Sequence, residues 1–222
     1  MKNTRKIQYG TAGFVLLWLL ISILLAARGL FNQPSQPPIY FGVFLAVPLS
    51  GFMLAYIFNQ PFKAAMKALP LWTVTAVHIA RFEGYVFVLD AVRGRLPTGF
   101  GWQAGMGDVV SAAIAVALTI LLRTGRNARG LRAVFLAWNL FGLADLFSAV
   151  ALGLLYSVSV VGLLATPASN AQLLTSLPLS IIPTFYVPLL ILLHFLALTR
   201  QREISKTAQR SAMPADTLVA SD

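Results

Sequence analysis

The chain is 222 residues long, 58% hydrophobic and only 11% charged, with a formal net charge of +10 and no cysteine. A soluble domain carries about 25% charged residues, so too little polar surface remains to cover a water-facing globule, and much of the exterior is expected to meet lipid. The missing cysteines exclude disulfides, iron–sulfur clusters, thiolate zinc sites, c-type haem attachment and cysteine nucleophiles, and the basic residues form short clusters between apolar stretches, which argues against nucleic-acid binding.

Six apolar stretches follow in chain order, at residues 10–30, 39–58, 71–92, 104–122, 131–156 and 177–198. Each is close to the ~20 residues that span a hydrocarbon core. The expected fold is therefore all-α, a single transmembrane domain over residues 1–200 followed by a disordered cytoplasmic tail at 201–222. The first stretch has a rival reading as a cleaved signal peptide, with a basic start and small residues at Ala26 and Ala27. Its length and Leu25 count against cleavage, which would leave five spans.

The loops test the six-span scheme. Lys2, Arg5, Lys6, Lys63, Lys67, Arg123, Arg126, Arg129, Arg132, Arg200, Arg202, Lys206 and Arg210 fall on one side. Arg28, Arg93 and Arg95 fall on the other. That asymmetry puts both termini in the cytoplasm and the protein in a plasma membrane (the inner membrane of a bacterium). Residues 61–69 alternate lysines with apolar side chains and suit a short helix lying in the interface. The Gly-rich stretch 93–105, with Phe100 and Trp102, suits an outer turn anchored at the headgroups, and its G-x-x-x-G at Gly101 and Gly105 is weak evidence for helix pairing. The uncharged loop 157–176 has the composition of a segment that dips back among the helices.

Ionisable groups inside spans cost ~2.5–3.5 kcal/mol each when charged, so they usually face protein or water and often carry function. Here they are His78, Arg81, Glu83 and Asp90 in the third stretch, Asp108 in the fourth, Asp145 in the fifth and His194 in the sixth. The chemistry should therefore belong to a core bundle of spans three to six, with one and two packed outside. At about 100° per residue, His78, Arg81 and Tyr85 share a face, and Asn139, Gly142, Asp145, Ala149, Gly153 and Tyr156 form a stripe. At ~1.5 Å of rise per residue, His78, Asn139 and His194 make a lower tier, with Arg81, Asp108 and Asp145 above it.

An arginine with two aspartates at one depth can pair through bidentate hydrogen bonds, leaving a spare acid to be protonated, metal-bound or hydrated. The leading expectation is a membrane-embedded site for an ion or small ligand, used in proton-coupled transport. Asp108 and Asp145 would be its titrating carboxylates, Arg81 the counter-charge, and His78 and His194 with Asn139 a relay towards the cytoplasm. One alternative is a redox protein or enzyme with His78 and His194 ligating haem or a divalent metal, completed by Asp108 or Asp145. Another is a non-catalytic assembly subunit whose buried charges are structural. Glu83 is expected to satisfy a neighbouring helix and Asp90 to pair with Arg93. No Walker A loop, G-x-G-x-x-G, H-E-x-x-H or G-x-S-x-G occurs, which removes the commonest nucleotide, zinc-protease and serine-hydrolase signatures.

Overall fold

The computed structural model describes residues 2–125 and 130–212, and every regular element among them is helical. In chain order these are α1 (Lys2–Ala27), α2 (Ile39–Phe58), α3 (Gln60–Lys67), α4 (Leu71–Ala76), a 3-10 segment (Val77–Gly84), α5 (Tyr85–Val92), α6 (Thr98–Thr124) and α7 (Leu131–Leu155). A 3-10 turn (Gln172–Thr175), a π-turn (Ile182–Tyr186) and α8 (Val187–Ala212) follow. Among the described residues five helices are long and apolar enough to cross a membrane: α1, α2, α6, α7 and the stretch Ile182–Gln201. That is compatible with a membrane location.

The stretch expected as a third span is helical but is not one α-helix, and it is not among those five. It is six residues of α-helix, eight of 3-10 and eight of α-helix. A 3-10 helix has 3.0 residues per turn, so residues at i and i+3 eclipse. The buried positions keep that period: Thr75, His78, Arg81, Gly84, Phe87 and Asp90 all point inward. Tyr85, expected on the face of His78 and Arg81, is instead 57% exposed, and Gly84 takes its place.

Helix α6 is the central element, packing on α4, the 3-10 segment and α5 along one side and on α7 along another. The first contact is glycine-to-glycine. A Cβ on Gly84 would lie 2.9 Å from the Gly105 carbonyl oxygen, and one on Gly105 would lie 2.6 Å from that of Gly84. One on Gly101 would lie 2.6 Å from the carbonyl oxygen of Phe87. Stretch 93–105 is therefore not mainly a turn: α6 begins at Thr98, and Gly101 and Gly105 form the close helix contact that small residues permit.

Farther out, α7 packs on α8, α8 on α2, and α1 lies over α3 and the π-turn. Helix α3 forms because Asn59 caps it, accepting from the Phe62 amide at 3.0 Å, with Pro61 in its first turn. Gln8 of α1 then donates to the Ala65 carbonyl at 2.9 Å. The segment 177–181 precedes the helical part of the last stretch, and α8 continues to Ala212, past the residue at which a tail was expected. The rest of that tail, and Arg126 and Arg129, lie outside the described residues. Loop 157–176 folds over the end of α7, with the Leu164 amide donating to Leu155 and the Ala171 amide to Tyr156.

Two apolar clusters close the ends of the bundle. One gathers Tyr56, Met66, Leu118, Phe135 and Leu196; the other gathers Phe87, Leu96, Phe100 and Leu174. Buried polar side chains lie between them: His78, Arg81, Asp108, Ser111, Asn139, Asp145 and His194.

Candidate functional site

Three elements converge on Arg81, whose side chain is fully buried. Its Nε donates to Oδ1 of Asp108 on α6 at 2.6 Å, and its Nη2 donates to Oδ2 of Asp145 on α7. Its Nη1 faces Nε2 of His194 on α8 at 3.2 Å and the carbonyl oxygen of Gly142 at 3.4 Å. One guanidinium thus ties together the 3-10 segment, α6, α7 and α8. The two tiers expected from depth are a single network with Arg81 as the link.

The partners assign the protons. Guanidinium groups only donate, so His194 Nε2 accepts and its Nδ1 carries the hydrogen. Nδ1–H donates to Oδ1 of Asn139 at 3.0 Å, and Nδ2 of Asn139 donates to the Phe135 carbonyl at 2.8 Å. Arg81, His194, Asn139 and the α7 backbone therefore form one chain of donors and acceptors. His78 is brought to the network but not bonded into it. Its ring packs on that of His194, centroids 4.0 Å apart, and edge-on to Trp138 at 5.0 Å. Both His78 nitrogens are buried with no hydrogen-bond partner among the described residues.

The two imidazole planes are tilted by 42° with centroids 4.0 Å apart, and both nitrogens of His194 are engaged, by Arg81 and Asn139. Among the described residues no cluster of three His, Cys, Asp or Glu side chains is placed to hold a metal. Asp90 pairs with Arg95 and not with Arg93, because the turn through Gly94, at φ 70°, carries the chain back over Asp90. Glu83 has no hydrogen-bond or ion-pair partner among the described residues, although it lies close enough to Asp108 and Tyr186 to interact with both electrostatically.

Glycines make the space. A Cβ on Gly142 would collide with His194 Nε2 and stand 3.0 Å from Arg81 Nη1. One on Gly107 would overlap the Asp145 carboxylate. Gln103 completes the Asp145 side, its Nε2 donating to Ser148 Oγ at 2.5 Å and to Asp145 Oδ1 at 3.3 Å. Sequence reasoning missed Gln103, Gly107 and Ser148. The i, i+4 spacing of Gln103, Gly107 and Ser111 was the available signal, hidden when the fourth span was begun at residue 104.

A cavity of about 310 Å³ opens between the start of α2, the end of α7 and the π-turn. Phe41, Phe87, Phe100, Leu146 and Val187 are among its apolar walls, and Asp108 is its one charged lining residue. Arg81 and Asp145 do not line it. Asp108 Oδ2 receives no hydrogen bond from a described residue, whereas Oδ1 is held by Arg81.

Residues 38–202, about three quarters of the chain, match the family model described as "Domain of unknown function (DUF8737)". No curated protein and no solved structure matches.

Proposed function

We propose that this chain, which belongs to the DUF8737 family, is a six-span membrane protein that binds a small ligand or ion at its Arg81–Asp108–Asp145 cluster and couples that binding to proton movement in transport. The membrane placement draws on the outward faces: Leu16, Leu17, Leu20, Ile21 and Leu24 of α1, and Val47, Leu54 and Ile57 of α2, are all exposed. In water such surfaces would aggregate. A sixth span is compatible with the broken third segment. Fourteen residues of α-helix and eight of 3-10 helix extend roughly 37 Å, enough for a ~30 Å hydrocarbon core. The basic asymmetry then favours cytoplasmic termini.

One observation carries the functional reading: a single buried arginine is shared by two carboxylates, one of which also meets a cavity. Two carboxylates and one guanidinium are neutralised by one further positive charge. A proton and a cationic ligand can each supply it, and competition for the same carboxylate is the elementary step of proton coupling. His194 and Asn139 extend the hydrogen-bonded chain from the cluster towards the basic end.

The competing reading is a structural brace, favoured by the complete pairing of Arg81. The two readings differ in proteoliposomes of zwitterionic lipid challenged in turn with alkali cations, primary amines, quaternary ammonium ions and small carboxylates. The proposal expects proton-linked flux with one class, followed by an interior pH dye, and its loss in Asp108→Asn and Asp145→Asn. Flux with none of them, or unchanged flux in both variants, supports the brace and overturns transport.

A further inference from the structure

The Asp108 cavity holds a second piece of information, the character of whatever it receives. We infer that its ligand is a lipophilic monocation, a quaternary ammonium or substituted amine with an apolar body, entering from the flank between α2 and α7. This rests on the reading of Asp108 as a ligand-binding carboxylate.

Three features lead there. The walls are apolar, and the one charge, on Asp108, sits at mid-bundle, ten residues into α6 from its start at Thr98. A wall of that kind stabilises an apolar body, and the lone carboxylate, with Oδ2 unengaged, selects a positive head. The cluster behind it carries surplus negative charge, with Asp108 and Asp145 sharing Arg81 and Glu83 close by. An anionic head meets repulsion there, because two carboxylates share one guanidinium and a third lies close by.

Aromatic residues Phe31, Tyr40, Phe41, Phe87 and Phe100 also line the space, the kind of wall that receives quaternary ammonium groups through their ring faces. The volume of about 310 Å³ lies at the small end of the range for organic-ligand sites. Entry from that flank is assigned from Tyr40 and Leu154, which both line the cavity and are 39% and 38% exposed.

The test is equilibrium binding of radiolabelled hexyltrimethylammonium to the full chain in zwitterionic nanodiscs, with empty discs subtracted. Saturable binding of one equivalent per chain is expected, with tetramethylammonium at least tenfold weaker and heptanoate giving no saturable binding. Asp108→Asn should weaken hexyltrimethylammonium at least tenfold. Because that variant disturbs the Arg81 network, Gly153→Phe provides a second reading. A Cβ at Gly153 meets only Phe100 at 3.7 Å and Leu174 at 4.0 Å, so the ring can enter the cavity without moving the backbone. It should also reduce binding at least tenfold.

Absent saturable binding, equal affinity for tetramethylammonium, or indifference to both variants overturns the assignment. The outcomes also separate the two proposals. Binding without proton-linked flux keeps the ligand class and removes transport, whereas flux driven only by a small hydrophilic ion does the reverse.

Discussion

Gly142→Ala is a small change whose sign tests the geometry of the site. Helix propensity alone predicts a gain, since alanine is favoured over glycine inside a helix by about 0.8–1.0 kcal/mol. The structure predicts a loss. The new methyl group would fall on the His194 ring, 2.6 Å from Cε1, and 3.0 Å from Arg81 Nη1. The ring is held by Asn139 through Nδ1 and packed against both His78 and Trp138. Displacing it breaks a hydrogen bond to a charged group, worth about 1.5–3 kcal/mol, and the Asn139 bond, worth about 1 kcal/mol. After the propensity gain the net cost is about 1.5–3 kcal/mol, or a fall in Tm of roughly 3–12 °C for a chain of this size. Tryptophan fluorescence melts in nanodiscs read this directly, since Trp138 lies 4.9 Å from the His194 ring. Gly153→Ala is the control on the same helix: with only ordinary contacts around its Cβ it should hold or raise Tm. In a His194→Ala background Gly142→Ala should lose most of its cost, giving a coupling energy of at least ~1 kcal/mol. If Gly142→Ala melts at or above the parent, the description of the Arg81–His194 contact is wrong.

Arg81→Met leaves two buried carboxylates without their counter-charge and should destabilise by about 3–5 kcal/mol; adding Asp108→Asn and Asp145→Asn should recover most of that in the same melts. Asn139→Leu removes the acceptor for His194 Nδ1–H and should cost about 1–3 kcal/mol by denaturant unfolding, the penalty of one unsatisfied buried donor. Topology is testable without prior mutagenesis because the chain has no cysteine. Lys63→Cys and Arg132→Cys should react with an impermeant maleimide from one face of the membrane and Arg95→Cys from the other. Labelling of all three from the same face would remove the six-span arrangement.

The helical class and five long apolar helices were legible in composition and hydropathy, because lipid-facing surface and helix length leave a signal in every residue. The residues that meet at Arg81 were legible for a related reason. Ionisable groups are so costly in apolar stretches that only seven needed sorting, and helical phase put Asn139, Gly142 and Asp145 on one face. Positions that act by absence were harder to read. Gly107 matters because a carboxylate occupies the space where its side chain would be. Nothing in sequence marks it off from any other glycine until a partner helix is in place. The Asp90 partner was misassigned by two residues because a positive-φ glycine, and not helical spacing, sets which arginine returns over it.

The third segment shows what a stricter reading of periodicity can recover. Thr75, His78, Arg81, Gly84, Phe87 and Asp90 recur every three residues, a period that an unbroken α-helix cannot keep on one face and that the eight-residue 3-10 segment between two short α-helices sustains through His78, Arg81 and Gly84. The poorer hydrogen-bond geometry of a 3-10 turn has a compensation here: it aligns His78, Arg81 and Gly84 in a single row against α6. That row lets Asp108 pack over Gly84 while reaching Arg81. An α-helical segment would rotate Gly84 by about 60° relative to Arg81 and about 120° relative to His78 over the same residues, and a side chain would take the place of the gap. The local backbone is therefore fitted to the carboxylate. A brace between helices needs only the Arg81–Asp145 and Arg81–Asp108 bonds. Asp108 also lines an apolar cavity, and its second oxygen receives no hydrogen bond from a described residue; neither feature adds to such a brace, and a ligand site uses both.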